Sequence, residues 1–313
     1  MLKIVKWLKK HPELDNFVYR RKQTLAEYFR VRRFLGAERE KIRKDLHLSI
    51  AASKINGVYI IHARKKQPAE NKIYEPEVKD ALIALIGLEK LRYPCENITF
   101  VDIGANIGLH TFGIKKKFGD IKIIAFEPSP IPYRFLQLTI ALNSFSGIRV
   151  ENTALFDTEG NLDFLTWGED TSGDSLRDTK RVKGGKAKLL KVLTKRLDDI
   201  SDLPSINVIK IDCEGAELPI LLGARKVIER DRPAVVLEIH PVNRLAFDVT
   251  PEKIFQFLKQ VHYALFTTEF TRLDFDRFLA LQDLKNENYV ILPEELVGKL
   301  SETGSATKKA RFG

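Results

Sequence analysis

The chain has 313 residues, 44% of them hydrophobic, with a mean hydropathy of −0.19, enough for one substantial α/β domain and an appendage. Its formal net charge is +10, but residues 1–50 hold fourteen Lys/Arg against six Asp/Glu, a surplus of +8, so the remainder carries about +2. Two distant cysteines, Cys95 and Cys213, suggest neither a disulfide framework nor a metal-binding cluster, no apolar run approaches the roughly 18 residues of a membrane span, and lysines interrupt every apolar run in Met1–Lys10. A soluble, cytoplasmic protein without a signal peptide is the expectation.

Residues 1–48 read as helical, basic and interrupted near His11-Pro12, with Leu2, Val5, Leu8, Leu25, Phe29 and Phe34 interleaved with Lys and Arg. Such a segment either packs one face on the main domain or meets an anionic partner, so a peripheral contact with the inner membrane surface or a polyanion through residues 1–48 is open. Short strands are expected over 49–74, around Asn56-Gly57, completing a basic N-terminal extension of residues 1–70. Tyr74-Glu-Pro-Glu77 then opens a helix to about Leu91, with Pro in the first turn.

A regular alternation begins at Ile98. Strand 98–103 leads to a helix over about 109–117. Strand 121–126 ends in Glu127-Pro128-Ser129-Pro130 and yields to a helix over about 132–143. Strand 148–155 is followed by a hairpin turn at Asp157-x-Glu-Gly160 into a strand over 162–166. Residues 168–188, rich in Gly, Ser, Asp and Lys, read as an exposed loop before a strand over 192–197. Strand 208–211 ends in Asp212-Cys-Glu-Gly215, with a helix over about 217–230. Strand 234–239 ends in His240-Pro241. A helix over 251–261 and strands over 264–268 and 289–292 close a main domain of residues 71–300, and residues 301–313 read as a disordered tail.

The pattern predicts an α/β fold: a Rossmann-like, doubly wound, mostly parallel seven-stranded sheet with an antiparallel edge strand, plus the basic helical extension. Ligands of such sheets lie at the carboxyl ends of the strands. Here those ends carry Asp102, Glu127, Asn152 and Asp157, Asp212 and Glu214, and Glu238 and His240. A purely structural sheet does not need that set.

The turn after the first of these strands holds Gly104-x-Asn106-x-Gly108, where glycine backbone can approach a ligand closely and a helix N-terminus offers free N–H groups. The dinucleotide fingerprint needs a glycine where Asn106 stands. Asp102, two residues before the turn, would meet a cation rather than a pyrophosphate. A ligand with an ammonium group and no phosphate fits, and S-adenosylmethionine is one. Glu127, twenty-five residues after Asp102, can accept both hydroxyls of a ribose.

Val101-Asp-Ile-Gly-Ala-Asn-Ile-Gly108, Phe126-Glu-Pro-Ser-Pro130, Ala154-Leu-Phe-Asp157, Lys210-Ile-Asp-Cys-Glu-Gly-Ala-Glu217 and Leu237-Glu-Ile-His240, in this order, closely resemble the FkbM-type methyltransferases, class I S-adenosylmethionine-dependent O-methyltransferases. The resemblance covers roughly residues 70–295. It implies cofactor binding by Asp102, Gly104, Ala105, Asn106, Gly108, Glu127, Pro128, Asn152 and Asp157. Ser172-Gly-Asp-Ser175 and Leu197-Asp198 look like further family elements, and Cys213 stands where Val or Ile is more usual. The implied acceptor is a hydroxyl of a sugar, glycan, glycolipid or other small molecule, as in polysaccharide biosynthesis.

A hydroxyl loses its proton on methylation, so a base is useful. Asp212 is favoured for the reaction centre, and His240, by its natural pKa, and Glu214 are the other catalytic candidates. Glu217 reads mainly as a helix-start residue. Asp212, Glu238 and His240 present hard oxygen ligands and an imidazole, a weaker possibility for Mg²⁺ or Mn²⁺. Cys213 reads as a small buried residue rather than a nucleophile. Two other functions are kept. An RNA or DNA methyltransferase recruited by the basic N-terminus is disfavoured, because no Asn/Asp-Pro-Pro-aromatic sequence follows the 208–211 strand and no stacking aromatics accompany the basic run. The other is a non-catalytic cofactor-binding scaffold.

Overall fold

A computed structural model describes residues 26–43 in part and 50–55, 57–63, 75–94, 96–167, 170–175, 188–283 and 287–297. Residues 1–25, the 176–187 part of the expected loop, Cys95 and the 301–313 tail lie outside the described residues.

A helix over 29–39 and a hairpin of β1 (Ile50–Ile55) and β2 (Val58–Ala63) precede the main alternation. Helix α1 (Pro76–Arg92) follows, with Pro76 in its first turn, where the missing N–H costs nothing. Then come β3 (Thr99–Ile103), α2 (Leu109–Phe118), β4 (Lys122–Phe126), α3 (Pro130–Asn143) and β5 (Ile148–Glu151). The expected strand over 148–155 is two strands. The chain breaks at Asn152-Thr153, and β6 (Ala154–Leu155) joins β7 (Gly160–Trp167), β8 (Asp170–Ser175) and β9 (Lys188–Lys195) in a separate four-stranded sheet of order β6-β9-β7-β8. Residues 170–175, expected in a loop, are thus a strand, because antiparallel pairing with β7 satisfies their backbone despite the Ser/Gly/Asp composition.

The chain returns through β10 (Val208–Ile211), α4 (Glu217–Gly223), α5 (Arg225–Asp231), β11 (Ala234–Glu238), α6 (Pro251–Val261), β12 (Tyr263–Thr267), β13 (Arg272–Leu273), α7 (Phe275–Asp283) and β14 (Asn288–Pro293). One helix was expected over 217–230; Ala224 separates two. The main sheet has order β13-β12-β14-β11-β10-β3-β4-β5. The sheet has eight strands against the expected seven; the two-residue β13 is the antiparallel strand at the edge, and β14 is a second antiparallel strand inside the sheet. The β13 turn and α7, the latter not foreseen, carry the chain back so that β14 inserts between β11 and β12, antiparallel to both.

The central strands are apolar on both faces, as a sheet covered by helices requires. Alternate residues feed two cores. Val101, Ile103, Ile209, Ile211, Val235 and Leu237 pack against α4, α5 and α6. Phe100, Val208, Ala234 and Val236 pack against Val78, Leu82, Leu85 and Ile86 of α1. The 29–39 helix joins through Val31 and Leu35, which pack with Ile50 and Ile61 of the hairpin and Phe135, Leu138 and Leu142 of α3.

One glycine fixes how α4 meets the chain just past β6. A Cβ on Gly223 would overlap the Phe156 carbonyl oxygen, just past β6. Replacing Gly223 with Ala is therefore expected to cost about 1–3 kcal/mol of stability through overpacking, read by denaturant unfolding. A change within about 0.5 kcal/mol, usual for surface sites, contradicts this contact.

Candidate functional site

Even-numbered residues of β3, β10 and β11 face α1 and α2, and near the carboxyl ends that face becomes charged. Lys210 pairs in register with Asp102 across β10 and β3. Its Nζ donates to Asp212 Oδ2 at 3.0 Å and lies 3.9 Å from Asp102 Oδ1. Asp102 and Lys210 are 1% and 4% exposed, whereas the Asp212 side chain is 26% exposed and is the open end of the row. Burial opposes the Lys210 charge, but Asp212 and then Asp102 outweigh it and raise its pKa above the ordinary lysine value. Burial likewise opposes the Asp212 charge, and Lys210 with a hydrogen bond from Glu238 holds its pKa low. Burial and then the Asp212 charge push Glu238 far upward, so Glu238 carries the proton that it shares with Asp212. The pair is one carboxyl and one carboxylate.

Thr111 Oγ1 donates to Asp102 Oδ2, leaving Oδ1 buried without a hydrogen bond. His110 Nε2 lies 3.0 Å from Glu75 Oε2, joining the starts of α2 and α1 beside this row. Lys210, His110 and Glu75 were not foreseen. A lysine inside Val208-Ile-Lys-Ile211 was the available signal, since a buried strand does not hold a cation without anions to meet it.

Around the glycine turn, Gly104 and Ala105 N–H both donate to the Phe126 carbonyl, at 3.0 and 3.1 Å. Asn106 adopts left-handed backbone (φ 50°), which asparagine tolerates. Its N–H donates to Glu127 Oε2 at 2.8 Å, and Ser129 N–H donates to Oε1 at 2.8 Å. Asn152 Nδ2 donates to the carbonyls of Glu127 and Pro128, both at 2.9 Å. Glu127, Pro128 and Asn152 are therefore brought together with the 104–108 turn. Asp157 lies at a bend beyond β6, beside Gly223. Gly104 is required by the fold itself: a Cβ there would overlap the Asp212 carbonyl oxygen, where the β3 and β10 turns touch.

At the β10 and β11 ends, Asn243 Nδ2 donates to Glu214 Oε2, and Glu214 has left-handed backbone (φ 53°). His240 Nδ1 accepts from Val242 and Asn243 N–H, both at 3.1 Å, while Nε2 faces Glu287 Oε1 at 3.3 Å. With Nδ1 engaged as acceptor, the ring proton sits on Nε2, so His240 anchors a turn and is poorly placed as a base. Glu214 and His240 hold the same turn from opposite sides. Among the described residues no group of three or more His, Cys, Asp or Glu converges to hold a metal, so Asp212, Glu238 and His240 do not form the metal site considered above. The reason is local: Lys210 already neutralises Asp212, and His240 turns toward Glu287. Cys213 is half-buried against the core, and burial raises its thiol well above the ordinary range, which removes the thiolate a nucleophile needs. Within the expected family elements, Asp198 is structural: its Oδ1 caps α5 by accepting Val227 N–H at 3.0 Å. The side chains of 172–175 lie outside the described residues.

Helices on both faces of a mostly parallel sheet, with the polar set at its carboxyl ends, define a Rossmann-like fold. Residues 102–265 match the Methyltransferase FkbM domain, and the chain belongs to that family. It is 32% identical over 157 residues to the methyltransferase sdnD of Sordaria araneosa, covering 41% of this chain and 60% of that protein. It is 27% identical over 206 residues to the hexuronic acid methyltransferase AglP of Haloferax volcanii, covering 59% and 70%. The chain thus spans about 60% of the length of the first of these relatives. Among solved structures, the methyltransferase FkbM of Methylobacillus flagellatus is similar at 18% identity and a TM-score of 0.40, covering 64% of this chain and 46% of that one.

Glu217 offers a clean test of the site's burial. Its carboxylate accepts N–H from Cys213 and Gly215 at 3.1 and 3.0 Å, yet burial raises its pKa to about 7 from 4.5. The folded chain therefore keeps a proton that the unfolded chain releases between those values, and stability falls as pH rises through that interval. Glu217→Gln keeps an oxygen acceptor and removes the titration. Thermal melts of the variant are expected to lose less between about pH 5 and about pH 8 than wild type. An equal loss in both chains contradicts the buried-acid reading.

Proposed function

We propose that this protein transfers a methyl group from S-adenosylmethionine to a hydroxyl of a sugar, glycan or other small-molecule acceptor. The single observation that carries the reading is the adjacency of two chemically different ends: the Glu127-pinned turn of β3 and β4, and the Lys210–Asp212–Glu238 set of β10 and β11. AglP, named as a hexuronic acid methyltransferase, supports a sugar acceptor.

The donor set fits the cofactor. Both Glu127 oxygens accept backbone N–H groups, which holds the carboxylate at the end of β4 in position to accept ribose hydroxyls as well. Asp102 Oδ1, buried without a hydrogen bond, suits an ammonium group near Gly104. When bound, S-adenosylmethionine supplies an electrophilic methyl on a sulfonium. The chain's own work is to hold the acceptor oxygen in line, worth roughly 7–11 kcal/mol where alignment is good. Asp212, the open end of the row, orients the hydroxyl and receives its proton. A weak base suffices, because the hydroxyl becomes strongly acidic as its oxygen gains the methyl. Lys210 keeps Asp212 ionised and ready, and Glu238 fixes its orientation by the shared proton. The Gly104–Asp212 contact holds the two halves together.

Two substitutions separate the halves. Glu127→Ala is expected to weaken S-adenosylhomocysteine binding by about tenfold or more in calorimetry, since hydrogen bonds to a charged group are lost. Asp212→Asn is expected to leave that affinity within about threefold while lowering methyl transfer from labelled cofactor to hexuronic-acid glycans by about 10²–10⁴-fold. Wild-type cofactor affinity in Glu127→Ala sinks the cofactor assignment, and full turnover in Asp212→Asn sinks the base.

A further inference from the structure

We infer that the outward face of the 29–39 helix docks on a lipid surface bearing anionic headgroups, with Arg32, Arg33 and Arg39 as its contact residues. The inference goes beyond the methyl-transfer reading and does not depend on it.

The helix is fastened to the domain along one side, where Val31 and Leu35 are buried against the hairpin and α3. At about 100° per residue, Phe29, Arg32, Arg33, Gly36 and Arg39 fall on the remaining face, and all five are exposed. The carboxylates of Glu27 and Glu38 are used on the fastened side. Glu27, just ahead of the helix, accepts from Lys54 Nζ at 3.0 Å and from the Tyr59 hydroxyl at 3.3 Å. Glu38 Oε2 lies 3.4 Å from Arg134 Nη2 of α3, and its Oε1 lies 3.6 Å from Lys41 Nζ. Arg30 also turns inward and donates to the Leu142 carbonyl at the end of α3. Among the described residues, Arg32, Arg33 and Arg39 meet no carboxylate. Over 29–43 the sequence holds six Arg or Lys against two Glu, so the surplus is real before any pairing is considered. Pairing then turns it outward, because Glu38 is spent on the domain.

The partner this face fits is set by its shape and chemistry. Guanidinium groups meet phosphate well, and the three arginines lie along a straight helix face about 16 Å long. Phe29, 59% exposed, stands one turn from Arg32 and Arg33, and an aromatic beside cations suits the boundary between headgroups and acyl chains. One aromatic gives no series on which bases could stack, which favours a lipid surface over a nucleic acid. The apolar side of the helix is already consumed by the domain, so the contact is mainly electrostatic and weakens with salt. Direction adds a consequence. Arg30 reaches Leu142 and Glu38 reaches Arg134, so the helix runs antiparallel to α3, and its Arg39 end points toward Pro130 and the carboxyl ends of the strands. Docking on this face holds that rim beside the lipid.

The test is flotation of the full chain with vesicles of phosphatidylcholine, alone or mixed with phosphatidylglycerol, at low and high salt. Binding is expected only to the mixed vesicles and is expected to fall at high salt. Arg32→Gln/Arg33→Gln/Arg39→Gln is expected to lose about tenfold or more of that partitioning. Its melting temperature should not change, since all three side chains are exposed. Lys226→Gln/Lys259→Gln/Arg277→Gln removes equal charge from exposed positions of α5, α6 and α7, which pack on the opposite face of the sheet, and is expected to bind as wild type does. No binding to the mixed vesicles, equal binding to the neutral ones, undiminished binding in the first variant, or an equal loss in both variants overturns the inference. Tighter arginine-dependent binding to duplex RNA than to the mixed vesicles would assign the face to nucleic acid and overturn it too.

Discussion

The buried Lys210 between Asp102 and Asp212 is the constraint on which the rest depends. An ammonium in the middle of a central strand is tolerable only when anions and hydrogen bonds replace its water, and removing one partner strands a charge. Asp102 and Asp212 are therefore tied to each other through Lys210 before any ligand enters. The strands must stay in register, since a shift of one residue would send Lys210 to the opposite core among Ile209 and Ile211. A structural demand for registry and a chemical demand for a placed carboxylate are met by the same three side chains.

Backbone contact does the second part. Gly104 lies against Asp212, and Gly215 against Asn243, so the turns after β3, β10 and β11 touch one another without intervening side chains. That chain of contacts runs from the cofactor side proposed here to the acceptor side. Asn106 and Glu214, both in left-handed backbone, are held there by partners across the turns: Asn106 by Glu127 and Glu214 by Asn243. Local strain persists where surrounding contacts over-determine it, and here those contacts are the site itself.

Much of this was legible in the sequence because burial writes period and composition. The apolar runs of β3, β4, β10 and β11 and the glycine turn between β3 and α2 mark the sheet and its switch point directly. What was not legible depends on pairing between distant segments. Residues 170–175 look like loop by composition, and only a partner strand makes them a strand. Nothing local to 288–293 says that β14 inserts between β11 and β12 rather than closing an edge. Lys210 was visible as an oddity, but its meaning needed Asp102 to lie opposite. His240 shows the converse: residue type suggested a base, whereas the two backbone N–H groups on its Nδ1 make it a turn anchor.

The anchoring of His240 bears on how the proposed chemistry can proceed. With His240 engaged, the proton acceptor near the β10 end is a carboxylate whose pKa is held low, which would be a poor choice for an enzyme that must ionise an alcohol before reaction. It is an adequate choice when deprotonation follows the forming O–C bond. The arrangement therefore favours an acceptor whose oxygen is already a competent nucleophile and whose main requirement is position. Position comes from the rigid parts: the Gly104–Asp212 contact, the Glu238 proton that fixes the carboxylate, and the turn anchored by His240 and Asn243. A site that works by alignment more than by base strength, as proposed here, must hold the acceptor at more than its hydroxyl.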